Sequence, residues 1–172
     1  MKNLILINGT MGAGKTAASR ELQKLLPHCV FLDGDWCWDM SPFIVTDETK
    51  KMVLDNIAYL LNSFLSCSIY ENIIFCWVMH EQSIIDKVLS RLVGNKYRPF
   101  LFSVVCSPEA LTARIQNDIQ YGRRTADVLS RSLQRLPHYK DMNTVKIDVS
   151  DITPKQAAEE IYQRVYGSNK NN

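Results

Sequence analysis

Long apolar runs are missing from this sequence. The longest, Ile73 to Met79, holds seven residues, far short of the roughly 20 needed to span a bilayer. Met1-Lys2-Asn3 is followed by only four apolar residues, too few for the apolar stretch of about 7–15 residues in a secretory leader. No membrane partner is expected. Charge of one sign is equally scarce: 20 Lys plus Arg face 18 Asp plus Glu, leaving +2. That balance is too small to draw a polyanion, so no nucleic-acid partner is expected either. The five cysteines include no C-x-x-C pair, which excludes the usual zinc and disulfide frameworks. They read as small buried hydrophobes in a reducing, cytoplasmic setting. Repeats, low-complexity blocks and linkers are absent as well. The expectation is one domain over residues 1–166 with a frayed polar tail over 167–172.

What is present is core-forming material: 46% hydrophobic and 22% charged residues, close to a globular average. Leu4–Ile7, Cys29–Leu32, Ile73–Val78, Phe100–Val105 and Val145–Val149 read as five strands, the first a continuous apolar run suited to burial on both faces. Between them lie stretches with helical spacing. Lys15–Leu26 ends at Pro27. Asp47–Cys67 places Val53, Ile57, Leu60, Leu61 and Phe64 on one face, with Thr46 or Asp47 as cap. Glu81–Val93 stops at Gly94, and Pro108–Gln120 starts from a Ser107 cap. A further amphipathic stretch ends near Leu136. Thr153-Pro154-Lys155-Gln156 has capping-box form and opens a helix carrying Ala157, Ile161 and Val165. Strands that alternate with helices, without hairpin turns, predict an α/β fold with a parallel sheet and helices on both faces.

One segment carries a chemical signature. Gly9-Thr10-Met11-Gly12-Ala13-Gly14-Lys15-Thr16 fits G-x-x-x-x-G-K-[ST], between a buried strand and a helix as that motif requires. Gly9, Gly12, Ala13 and Gly14 would turn backbone N–H groups inward around a polyphosphate. The helix start adds its positive dipole end. Lys15 would reach the β- and γ-phosphates, and the Thr16 hydroxyl would ligate Mg²⁺. Asp33-Gly34-Asp35 follows the second strand, so both acids fall on the same sheet edge as the loop. With i and i+2 spacing on an extended segment, they are expected to project to one side. One would hold the metal and the other would accept a proton from a substrate hydroxyl.

The pairing of G-T-M-G-A-G-K-T with L-D-G-D after the second strand resembles the small-molecule kinases of the P-loop superfamily. These include the shikimate, gluconate, adenylylsulfate and nucleoside monophosphate kinases and the chloramphenicol phosphotransferase. The resemblance implies a three-layer fold with a five-stranded parallel sheet of order 2-3-1-4-5 and a mobile helical lid. It implies ATP and Mg²⁺ as cofactors and a small-molecule acceptor. It assigns Asp33, with Thr16, to the metal and Asp35 to the acceptor. The lid would span about residues 114–135, with Arg114, Arg123 and Arg124 as cations for the transferring phosphoryl group and Gly122 as hinge; Gly122-Arg123-Arg124 is similar to the lid arginines of adenylate kinases. The arginine pair has no acid within the Tyr121–Ala126 break, so the segment is expected to stay open until an anion arrives. Arg131 and Arg135 read as surface residues. A monomer or homodimer is expected.

The sequence departs from the family pattern at the third strand, whose apolar run ends Val78-Met79-His80-Glu81 rather than in the Asp that follows the run in that pattern. Glu81 is the fallback metal-side acid, and His80 is a candidate substrate contact at a strand end. Trp36 and Trp38 either wall an acceptor pocket or pack in the core. From Asp33 to Asp47 there is no Lys or Arg, which favours a neutral hydroxyl acceptor over a phosphorylated or carboxylated one. The leading expectation is an ATP- and Mg²⁺-dependent kinase acting on a small hydroxylated molecule. The alternatives are a nucleoside monophosphate kinase and a nucleotide-binding regulatory NTPase.

Overall fold

The computed structural model describes residues 1–94 and 96–167; most of the tail expected over 167–172 lies outside the described residues. Leu4, Ile5, Leu6 and Ile7 are at most 1% exposed, so strand β1 (Lys2–Asn8) takes the centre of the sheet. Four more strands flank it, β2 (Cys29–Asp33), β3 (Asn72–Trp77), β4 (Tyr97–Val105) and β5 (Val145–Asp148). All pairings are parallel and the order is β2-β3-β1-β4-β5. This is the predicted topology.

Alternate side chains of β1 feed two cores. Ile5 and Ile7 face a layer built with helices α1 (Lys15–Leu25), α4 (Pro108–Gln120), α5 (Asp127–Arg135) and α6 (Pro154–Tyr166). Leu4 and Leu6 face α2 (Asp47–Ser66) and α3 (Gln82–Leu89). The helix starts follow their caps. Thr46 and Thr49 form a reciprocal box at α2, Ser107 accepts from the Ala110 N–H at α4, and Thr153 pairs with Gln156 at α6. Each such cap is worth about 1 kcal/mol.

Two strand and helix limits differ from expectation. Strand β4 begins at Tyr97 rather than Phe100 and runs through Pro99. The strand tolerates Pro99 because β5 pairs only with Phe102–Val105, leaving that side of β4 open there. Helix α3 stops at Leu89, four residues short of the expected Val93, with Ser90 as its C-cap.

The register brings the two motifs together. Strand β3 lies between β1 and β2, with Asn8 opposite Trp77 and Asp33 opposite Cys76. The loop after β1 and the acids after β2 therefore emerge at one edge, across the end of β3.

Candidate functional site

Close packing dictates two glycines of the loop, Gly9 and Gly12. A Cβ on Gly9, at φ 151°, would lie 2.5 Å from the Val104 carbonyl oxygen, and one on Gly12, at φ 81°, would lie 2.6 Å from Ile115 Cγ1. Only glycine fits either place. Helix α1 starts at Lys15 with no side chain capping its first turn, so its N–H groups are left to the mouth of the loop. The loop is also tied to α5, because the Thr10 hydroxyl donates to the Ser132 carbonyl at 3.1 Å. Lys15 is buried, and its Nζ donates to the Thr10 carbonyl at 3.0 Å. Burial pushes its pKa down; Cys76, Asp35 and Asp33 pull the other way.

Asp33 uses both carboxylate oxygens. Oδ2 accepts from the Thr16 hydroxyl at 2.8 Å, and Oδ1 accepts from the Asp35 N–H at 3.1 Å. That second bond caps a 3-10 helix, Gly34–Trp38. The two acids therefore reach the loop through a tight turn, where the sequence suggested an extended segment. Cys76 lies beneath the pair, its Sγ 3.8 Å from Thr16 Oγ1, and burial pushes the thiol up to about 12. The pKa of Asp35 is raised by desolvation and by Asp33, and opposed by Lys15, the Trp77 indole N–H and Arg124.

Gly12, Gly14, Lys15, Thr16, Asp35, Asp118 and Arg124 border a cleft of about 290 Å³. A larger hollow of about 690 Å³ lies among Met1, Asn3, Glu71 and Tyr166, at the amino ends of the strands. Ligands of such sheets bind at the carboxyl ends, and no glycine loop borders that hollow.

Metal-binding capacity at the cleft is modest. Among the described residues no cluster of three or more His, Cys, Asp or Glu is arranged for a metal. The available donors are the Thr16 hydroxyl and the Asp33 carboxylate, 2.8 Å apart. That set fits Mg²⁺, which takes one or two protein oxygens and fills its octahedron with phosphate and water.

The three arginines expected in a lid divide. Gly122, at φ 68°, ends α4 by a double turn in which Arg123 N donates to the Asp118 carbonyl at 2.8 Å and Gly122 N to the Ile119 carbonyl at 2.9 Å. The chain folds back there, and both arginines meet Asp118: Arg124 Nε at 2.9 Å and Arg123 Nη1 at 3.7 Å. The expectation of an unpaired arginine pair is thus corrected, because the acid sits one turn earlier on α4. Arg114 lies elsewhere. It belongs to the continuous helix α4, and its guanidinium donates to the Val149 and Ser150 carbonyls after β5. There it lines a cleft of about 180 Å³ with Ala13, Gly14, Ile152 and Pro154, on the other flank of the loop.

The remaining candidates stand outside the cleft at the glycine loop. Trp36 is half exposed and turns toward α1, edge-on to Phe31 at 5.6 Å, with the Arg20 guanidinium over both rings. Trp38 packs on the α2 side, 5.8 Å from Phe43. His80 faces His138, ring centroids 6.2 Å apart, and Glu81 at 3.8 Å. Their hollow of about 480 Å³ shares no lining residue with the cleft at the glycine loop. Glu81 is exposed there. Arg131 pairs with Asp127 on the surface, whereas Arg135 is half-buried and lowers the pKa of His80 through its charge, after burial itself.

Three residues that border the cleft or touch the groups lining it are not marked out by the sequence: Asp118 at the cleft itself, Trp77 against Asp35 and Cys76 against Thr16. Asp118 carries a signal all the same, since an acid four residues before a helix-ending glycine lies beside the chain as it folds back. Cys76 and Trp77 sit in an apolar strand whose composition does not distinguish them from core.

A family model described as an AAA domain matches residues 5–145. None of the curated proteins compared matches the chain. Among solved structures, the shikimate kinase from Acinetobacter baumannii in complex with shikimate is similar at 20% identity, covering 100% of this chain and 97% of that one, with a TM-score of 0.68. The tunicamycin resistance protein of Deinococcus radiodurans is similar at 18% identity over 96% of each chain, TM-score 0.67. A gluconokinase from Sinorhizobium meliloti is similar at 18% identity over 96% and 97%, TM-score 0.62. At these identities the likeness establishes the P-loop kinase-like fold.

Proposed function

Because the chain belongs to the AAA-domain family and joins a glycine loop to two acids at one sheet edge, we propose that it is a kinase. It would transfer the γ-phosphoryl group of ATP, with Mg²⁺, to a hydroxyl of a small neutral molecule. The observation that carries this reading is the meeting of Lys15, Asp35 and Arg124 at one cleft. A cradle for phosphate alone needs no acid beside it. A transferase needs a carboxylate at the acceptor side and cations around the moving group.

In this reading the loop amides and the helix α1 terminus hold the phosphates, and Lys15 swings from the Thr10 carbonyl onto the β- and γ-oxygens. Thr16 and Asp33 would hold Mg²⁺, which neutralises charge on the phosphates when bound. Asp35 takes the proton of the acceptor hydroxyl as its oxygen bonds to the γ-phosphorus. The bond from that phosphorus to the bridging oxygen breaks, and ADP leaves. Arg124 stabilises the charge on the equatorial oxygens. Arg114, on the other flank, would border the nucleoside end.

The acceptor class rests on charge. The stretch from Asp33 to Asp47 has no Lys or Arg. At the start of α2, Lys50 and Lys51 pair with Asp47 and Asp55, which favours a neutral acceptor over a nucleoside monophosphate. The solved relatives named for shikimate and gluconate support phosphoryl transfer to a hydroxyl as the reaction type. Both of those acceptors carry a carboxylate, so the neutral acceptor proposed here rests on this chain's own charge pattern. ADP formation across a panel of polyols, sugars, hydroxylated antibiotics and nucleotides tests the reading. An acceptor-dependent rise with a neutral hydroxyl compound is expected; a response to nucleoside monophosphates alone would contradict it.

A further inference from the structure

We propose that Asp118 is a positioning residue, holding the Arg124 guanidinium at the phosphate cleft through Nε so that both terminal amino groups stay directed to the group in transfer. The inference rests on the kinase reading above and adds a part to that site.

A carboxylate bordering an anion cleft is at first sight misplaced, since it would repel a polyphosphate. Asp118 nevertheless borders the same cleft as Gly12, Lys15, Thr16 and Arg124. Its side chain is only a quarter exposed, and Arg124 about a third. The contact that explains this placement is specific. Arg124 meets Asp118 through Nε at 2.9 Å, the inner donor of the guanidinium. An arginine offers five N–H donors in a rigid plane, and fixing the inner one orients the remaining four. Among the described residues none accepts a hydrogen bond from the Arg124 terminal nitrogens. Arg124 shares that cleft with Lys15 and Asp35, and its charge acts on both of them.

The backbone makes the arrangement durable. The Asp118 carbonyl accepts the Arg123 N–H, and Gly122 in the left-handed region folds the chain back over the helix end. The same turn brings Arg123 Nη1 to 3.7 Å from the other carboxylate oxygen. Two guanidinium groups thus face one carboxylate, so the Asp118 charge is balanced within the cluster.

Calorimetric titration of the full chain with Mg-ADP, alone and with aluminium fluoride as a mimic of the group in transfer, tests this. Asp118→Ala and Arg124→Ala should each weaken the fluoride complex by about tenfold to hundredfold while leaving Mg-ADP affinity unchanged. The double variant should be no weaker than Arg124→Ala, because Asp118 acts through that residue. Asp118→Asn, whose side-chain oxygen still accepts from Nε, should recover most of the loss. An unaffected Asp118→Ala, losses that multiply in the double variant, or equal weakening of Mg-ADP would each overturn the proposal. Failure of the unaltered chain to bind Mg-ADP would instead overturn the kinase reading, and this inference with it.

Discussion

The Thr16 hydroxyl donates to Asp33 Oδ2 across 2.8 Å, joining the first turn of α1 to the last residue of β2. Residues from two segments thereby form one oxygen-rich edge, with Asp33 only 7% exposed. Under the proposed function this pair serves the metal. Asp33→Asn keeps the shape and removes the charge. The Mg²⁺ concentration giving half-maximal nucleotide binding should rise by about tenfold or more, with little change in the affinity for ATP without metal. Titration of Mg²⁺ at fixed ATP reads this, and an unchanged midpoint would return Asp33 to a purely capping role.

The turn that delivers Asp35 depends on one close approach. A Cβ on Gly34 would lie 2.5 Å from Trp77 Cγ, with the indole ring directly over the backbone. Gly34→Ala should therefore destabilise the fold by about 1–3 kcal/mol, the usual cost of overpacking. Denaturant unfolding followed by tryptophan emission measures it. A change within a few tenths would mean the ring moves aside freely.

His80 supplies a pH dependence. Burial and then the Arg135 charge lower its pKa from the ordinary 6.5, with Glu81 opposing and His138 adding to the effect. The unfolded chain thus binds a proton at higher pH than the folded one. Stability from this group is complete above about 6.5 and falls as pH drops through that value toward the lower folded pKa. His80→Gln should flatten this part of the stability curve. Thermal unfolding across that interval reads the difference, and parallel curves would contradict it.

The central strand, the glycine loop and the acid pair are legible in the sequence because each rests on local chemistry. Leu4–Ile7 can be buried on both faces, Gly9 and Gly12 permit what no other residue can, and Ser107 and Thr153 cap in place. The strand order comes through the family resemblance, since periodicity alone does not rank parallel strands. Contacts that depend on how distant segments meet are not legible. Nothing near Trp36 in the sequence says that it turns toward Arg20 on α1, and Arg114 looks like any helical arginine until α4 is set against the end of β5. The Arg123–Arg124 pair departs from expectation for a related reason. Its acid, Asp118, precedes the polar break, and only the fold-back at Gly122 brings the three charges together.

ADP release is common to a kinase and to an NTPase switch, so the fate of the γ-phosphoryl group tests the central claim most directly. ATP labelled at the γ-phosphate would be incubated with Mg²⁺, the protein and a panel of neutral hydroxyl compounds, beside Lys15→Ala. The account predicts label in an organic phosphate ester, lost in the Lys15→Ala variant. Label that appears only as inorganic phosphate, or remains in bound ATP across the panel, would contradict it.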